Sequence, residues 1–155
     1  MSNKEKIKLL WKEYTQLHPQ AADNYDAWAF GDSPQMADEL LDLVIRGIKT
    51  GTASNYDIFE TCDETFPQVG GHSIVLDGSG DPRAIIVTTN VQIIPFDEVS
   101  AEFAYTEGEG DRTLKSWRHD HEQFFTRESL KFLNKPFDPK MKVVCENFRV
   151  VYTKD

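Results

Sequence analysis

The sequence predicts an α+β domain whose short, curved sheet closes into a small barrel flanked by helices. Three observations lead there. Apolar residues recur at helical spacing in the first fifty positions, β-branched runs follow, and a long closing strand ends the chain. No regular strand–helix alternation links these parts, which separates the pattern from a doubly wound sheet. Few strands with turn chemistry between them suit a small closed barrel.

Each element has its own signal. Ser2 with Glu5 fits a capping box, and Ile7, Leu10, Trp11, Tyr14 and Leu17 continue a helix that His18-Pro19 ends. A loop carrying Tyr25, Trp28 and Phe30 leads to Ser33-Pro34, a capping oxygen followed by a pre-set first turn. Met36, Leu40, Leu41, Val44, Ile45 and Ile48 form the apolar stripe of this second helix, and Gly47 supplies its stop. Ser73 to Leu76 and Ala84 to Val91 read as a hairpin around Asp77-Gly78-Ser79-Gly80-Asp81-Pro82, continuing through Ile94 until Pro95-Phe96. A short helix is expected over Ser100 to Tyr105, stopped near Gly108. Asp111 is the expected cap of a further helix bearing Leu114, Trp117, Arg118, His121, Phe124 and Phe125. Lys142 to Tyr152 closes the chain as a long strand.

The chain of 155 residues reads as one domain, 1–155, large enough for a real core. A net charge of −9 argues against a protein that holds duplex DNA by neutralising phosphates. A small polar ligand, a nucleoside, or a brief encounter with a short single strand stays compatible with that charge. No apolar run approaches the ~20 residues that cross a bilayer, and the first residues lack a signal-peptide core, so a cytoplasmic location is expected. Cys62 and Cys145 stand far apart with no metal-binding spacing, and both read as packing residues.

The most informative stretch is Gly47-Ile48-Lys49-Thr50-Gly51-Thr52. An amine and a hydroxyl three residues apart meet only across a tight turn, which Gly47 and Gly51 permit. Such a pair can serve as base and nucleophile; the alternative is a solvated lysine in a Gly-Thr turn. To act as a base near neutrality, Lys49 needs a pKa below its usual ~10.4, and a neighbouring carboxylate opposes that shift. Glu107-Gly108-Glu109-Gly110-Asp111-Arg112 is the densest polar cluster, able to place carboxylates in a cleft or to stand as a solvated acidic loop. His119 and His121, two apart on a helix, diverge, so no metal site is expected from them. Arg118 could orient a carbonyl or phosphate, and Trp28 and Tyr56 could stack on a base. P-loop, G-x-G-x-x-G, H-E-x-x-H and G-x-S-x-G motifs are absent.

From Trp28-Ala29-Phe30-Gly31 to the last strand, the chain resembles the ASCH domain family, whose fold is a PUA-like β-barrel. Ala37-Asp38-Glu39-Leu40 through Gly47–Thr52 is similar to the family's helix and its G-x-K-x-x-[TE] turn. Val69-Gly70-Gly71-His72 is similar to its strand entry, with His72 where aspartate is usual nearby, and Ala104-Tyr105-Thr106-Glu107 to its A-x-x-E segment. The resemblance implies a fold in which residues 1–18 are an added N-terminal helix. It also implies activities. One bacterial branch hydrolyses the amide of N4-acetylcytidine through a lysine, a threonine and a glutamate, which fall here on Lys49, Thr52 and Glu107. Another bacterial member is a ribonuclease, and others are thought to bind RNA. With amide hydrolysis, Thr52 attacks with Lys49 as base, Glu107 orients the lysine or shuttles the proton, and Trp28, Tyr56 and Trp117 are candidate walls for the pyrimidine. Three readings stay open: a hydrolase of a modified nucleoside, a ribonuclease of short single strands, and a non-catalytic RNA- or nucleotide-binding module. None of them calls for a cofactor or a membrane partner.

Overall fold

The computed structural model describes residues 1–21 and 24–154. Five strands form one mixed sheet in the order β1-β3-β4-β5-β2, accompanied by helices, giving an α+β, PUA-like fold. The chain divides into two compact units, residues 1–48, 69–89 and 148–155 in one and 49–68 with 90–147 in the other.

In the first unit, α1 (Asn3–Leu17) begins where the Ser2 hydroxyl accepts the Glu5 amide. Strand β1 (Asp26–Trp28) pairs in parallel with β3 (His72–Leu76), and β3 pairs antiparallel with β4 (Pro82–Pro95). Side chains alternate across these strands, so each face receives its own helix. Ile74 and Ile85 meet Leu10, Trp11 and Tyr14 of α1. Val75, Ala84 and Ile86 meet Leu40, Leu41 and Val44 of α2 (Pro34–Ile45). The Asp77 carboxylate closes the β3–β4 turn by accepting the Ser79 and Asp81 amides. Helix α2 starts on the Ser33 hydroxyl and Pro34 and ends on Gly47 at φ +77°. The Gly47 amide donates to Val44 and the Ile48 amide to Leu43, so two terminal carbonyls are satisfied and the chain is turned sharply into Lys49.

In the second unit, β2 (Gly51–Asn55) pairs antiparallel with β5 (Lys142–Thr153), from Gly51 opposite Asn147 to Asn55 opposite Val143. Helix α3 (Tyr56–Thr61) follows at once, with Asn55 as its cap. Helix α4 (Ala101–Glu107) ends on left-handed Gly108, and α5 (Leu114–Glu128) runs into a π-helical turn, Ser129–Leu133. Phe96, Phe103, Ala104, Trp117, Phe125, Val143 and Cys145 form the core of this unit.

Helices 1, 2, 4 and 5, the hairpin and the last strand follow the sequence expectations. Strand β1, strand β2 and helix α3 were not anticipated. The cap of α5 is Thr113, whose hydroxyl accepts the Ser116 amide; Asp111 instead accepts the Thr113 amide and hydroxyl, one step outside the helix. No helix among the described residues is long and apolar enough to cross a membrane.

Candidate functional site

Two sequence-distant segments are tied together beside Lys49. The Thr50 amide donates to the Thr106 carbonyl at 2.7 Å, which fixes the entry to β2 against the last turn of α4. Gly51 makes that approach possible. Its φ is not left-handed, but a Cβ there would strike the Thr106 hydroxyl and crowd the Asn147 amide. Lys49 and Glu107 each flank this contact, 58 positions apart in the chain.

Their side chains meet inside the protein. Lys49 is 1% exposed and Glu107 2%. The Lys49 ammonium donates to Glu107 Oε1 at 2.9 Å, to the Glu107 carbonyl at 3.4 Å and to Glu109 Oε2 at 3.1 Å. An ammonium has three hydrogens, and these are three acceptors. The second Glu107 oxygen accepts from His121 Nε2 at 2.9 Å and from the Trp117 indole. His121 Nδ1 lies 2.9 Å from the Trp117 carbonyl. Both imidazole nitrogens thus face acceptors, the arrangement that a doubly protonated ring requires. The His121 ring also stacks on Trp117, centroids 4.3 Å apart.

The protonation states follow from these contacts. Burial pushes Lys49 down, but the Glu107 and Glu109 carboxylates outweigh it and hold the lysine above its usual value. The balance between burial and carboxylate pairing therefore falls on the side of a permanent cation, and Lys49 is no base in this state. Burial alone would raise Glu107, yet Lys49 and His121 hold it well below the usual carboxylate range, so it stays an anion. Burial lowers His121 and Glu107 more than offsets that, leaving it raised. Glu109 is raised by burial and by Glu107 despite Lys49 and His121. Glu109 is also the carboxylate with solvent access, 22% exposed. Beneath the cluster, burial first and Glu107 second push the Cys145 thiol up to about 12, so Cys145 stays a neutral packing group.

The structure thus brings Lys49, Glu107 and Trp117 together. Thr52 is half-buried on β2, opposite Glu146 in the β5 register. Strand alternation turns it to the face away from Gly51 and Ala53, and Ala53 packs into the core that contains Trp117. Among the described residues, Thr52 makes no side-chain hydrogen bond with Lys49. Arg118 is exposed and donates to the Asp97 carbonyl at 3.1 Å. Tyr56 is half-buried, edge-on to Phe66, with the Lys142 ammonium 5.1 Å from its ring. Trp28 belongs to the first unit and packs edge-on to Phe30.

Glu109 and His121 were not singled out as site residues from sequence. Glu109 reads as one more carboxylate of an acidic loop, and His121 as one residue of the helix side that also bears Trp117, with no metal site expected from it and His119. The available signal was that His121 follows Trp117 by four residues and so shares its helix face. Glu107, Glu109 and His121 offer three ligand atoms within 4.8 Å of one another, a set a divalent cation could use. The Lys49 ammonium is already paired with both carboxylates at that place, at 2.9 Å from Glu107 and 3.1 Å from Glu109.

Known proteins support the family assignment. No curated protein matches the chain. A crystal structure of a protein from Enterococcus faecalis V583 is 38% identical over 95% of this chain and 88% of its own, with a TM-score of 0.87. An ASCH domain from Lactobacillus crispatus JV V101 is 32% identical over 96% of this chain and 95% of its own, TM-score 0.88. The hypothetical protein PH0355, 17% identical with a TM-score of 0.54, shares the fold. The ASCH domain family profile matches residues 26–152, which include every member of the buried cluster. The chain therefore belongs to the ASCH domain family.

Proposed function

We propose that this protein hydrolyses the amide of a small modified nucleoside, of the N4-acetylcytidine kind, at the Lys49–Glu107–Glu109–His121 cluster. The observation that carries the reading is a buried lysine held as a cation by two carboxylates, of which only Glu109 reaches solvent.

Each residue then has a task set by its protonation. Lys49 donates to the amide oxygen and stabilises the oxyanion that forms there. Glu107, locked as an anion by Lys49, His121 and Trp117, fixes the direction of the ammonium and is not itself a proton carrier. Glu109, whose affinity for a proton is raised by burial and by Glu107, takes a proton from water. The resulting hydroxide adds to the carbonyl carbon. Collapse of the intermediate breaks the C–N bond, and Glu109 returns its proton to the leaving amine, giving acetate and cytidine. This assignment gives the nucleophile's role to water and leaves Thr52, on the far face of β2, outside the proton path.

The acidity of the chain also favours a neutral nucleoside over long RNA. The test is direct. Folded protein incubated with N4-acetylcytidine should release cytidine and acetate. Lys49→Met, which removes the oxyanion donor, should lower kcat by about 10²–10³. Absence of cytidine from the folded wild-type protein rejects this substrate.

A further inference from the structure

The geometry points to Glu109 as a displaceable gate: its carboxylate occupies the place on the Lys49 ammonium that a ligand oxygen, carbonyl or carboxylate, takes when it binds. The inference builds on the proposed site and adds how that site is reached and which ligand atoms it accepts.

In the structure as it stands, Lys49 has acceptors for all three of its hydrogens and is 1% exposed. No ligand can touch the amine unless one acceptor leaves. The Glu107 carbonyl belongs to the end of α4 and cannot leave without unwinding it. The Glu107 carboxylate is held by His121 and Trp117 as well as by Lys49. Among the described residues, the Glu109 carboxylate combines partial exposure with one hydrogen-bond partner, the lysine itself.

The backbone around Glu109 is a tight turn that leaves the movement to its side chain. Glu109 lies between Gly108 at φ +71° and Gly110 at φ +59°, two residues in the left-handed region where a Cβ would be strained. The loop is closed by Arg112, at φ +65°, whose amide donates to the Glu109 carbonyl and whose Nε donates to the Tyr105 carbonyl. Its guanidinium lies 3.6 Å from the centre of the Tyr105 ring. The backbone on both sides of Glu109 is thus pinned, by Arg112 at its own carbonyl and at Tyr105 and by the close approach of Gly110 to Ser116, so displacing the carboxylate takes only a change of the Glu109 side-chain torsions. Displacement also primes the chemistry: a carboxylate released from an ammonium binds a proton more readily, so the arriving substrate oxygen frees the base that activates water.

The test needs no substrate. Reductive methylation of the intact protein with labelled formaldehyde, read by peptide mass spectrometry, reports access to the Lys49 amine, with exposed Lys12 as internal reference. In the wild type Lys49 should label far more slowly than Lys12. Glu109→Ala should accelerate Lys49 by about tenfold or more, the scale expected when a local opening step is removed. Glu109→Gln removes the charge but keeps an oxygen acceptor, and should stay close to the wild type. Free acetate should restore protection in Glu109→Ala by occupying the vacated place. Glu109→Ser serves in the same way should the alanine variant fail to fold. Equal labelling of the Gln and Ala variants would show an effect of charge alone and overturn the gate. So would wild-type Lys49 labelling as fast as Lys12, or no protection by acetate. Failure to cleave N4-acetylcytidine would reject the substrate and leave this result standing, so the two proposals fail separately.

Discussion

Replacing Glu107 by glutamine removes one charge and almost no volume, and it isolates what the buried cluster contributes to stability. The glutamate presents two acceptor oxygens to three donors: the Lys49 ammonium at 2.9 Å, His121 Nε2 at 2.9 Å and the Trp117 indole. Glutamine offers one oxygen and one NH2 group. Whichever way the amide turns, its NH2 faces a donor, either the ammonium or the imidazole–indole pair. Two buried cations then share one anion, Glu109. Breaking a buried ion pair by removing one partner costs about 3–5 kcal/mol. At about 2–4 °C per kcal/mol for a chain of this size, the melting temperature should fall by about 6–20 °C. Glu102→Gln is the matched control: the same exchange, on the same helix, at an exposed position, with an expected change within about 0.5 kcal/mol. Thermal and urea unfolding of the two variants beside the wild type provide the readout. Adding Lys49→Met to Glu107→Gln should cost less than the sum of the two single changes, because the second removes a cation the first left unpaired. If Glu107→Gln melts within about 2 °C of the wild type, the cluster is not the tightly coupled ionic network described above.

Three further outcomes are expected. His121→Gln probes the raised imidazole: a base whose folded value lies above its ordinary 6.5 contributes stability in full below that value and loses it as pH rises through the folded value. The gap in melting temperature between wild type and His121→Gln should therefore be widest at mildly acidic pH and narrow toward alkaline pH; a gap independent of pH contradicts a charged His121. Gly51→Ala should cost about 1–3 kcal/mol by driving β2 away from the Thr106 hydroxyl, and hydrogen exchange should show the Thr50 amide losing protection. Thr52→Ala should leave cleavage of N4-acetylcytidine within a few-fold of the wild type, whereas Glu109→Gln should reduce kcat by about 10²-fold or more, the usual share of a positioned acid–base group. Loss of turnover in Thr52→Ala with little change in Glu109→Gln would reverse the assignment of nucleophile and base.

What could be read from the sequence follows a physical line. Helices α1 and α2 carry both a cap and an apolar stripe, and their bounds fall within a few residues of expectation. The β3–β4 hairpin declares itself by Asp77 to Pro82, turn chemistry that acts within six residues. Strand β2 does not declare itself, because Gly51-Thr52-Ala53-Ser54-Asn55 has little intrinsic strand preference and is extended by pairing with β5, about ninety positions later. Strand β1 is three residues long and leans on β3 in the same way. At the site, the Lys49 turn was visible through its glycines, although Gly51 is there for close approach to Thr106 rather than for an unusual backbone angle. The meeting of Lys49 with Glu107 came from family resemblance, not from spacing. Glu109 joins them only through the fold of the 108–112 loop, which no local pattern encodes, whereas the four-residue spacing of His121 from Trp117 places it on their shared helix face without saying that the face meets Glu107. The charge state of Lys49 likewise depends on how many carboxylates surround it, a property of the assembled site.

A crystal of the Glu109→Gln variant soaked with N4-acetylcytidine would locate the substrate against Lys49. The acetyl oxygen is expected within about 3 Å of the Lys49 ammonium, with the residue 109 side chain moved off it and the Glu107 contacts with Lys49, His121 and Trp117 unchanged. A nucleoside bound elsewhere, while Lys49 keeps all three of its present acceptors, would contradict the proposed site.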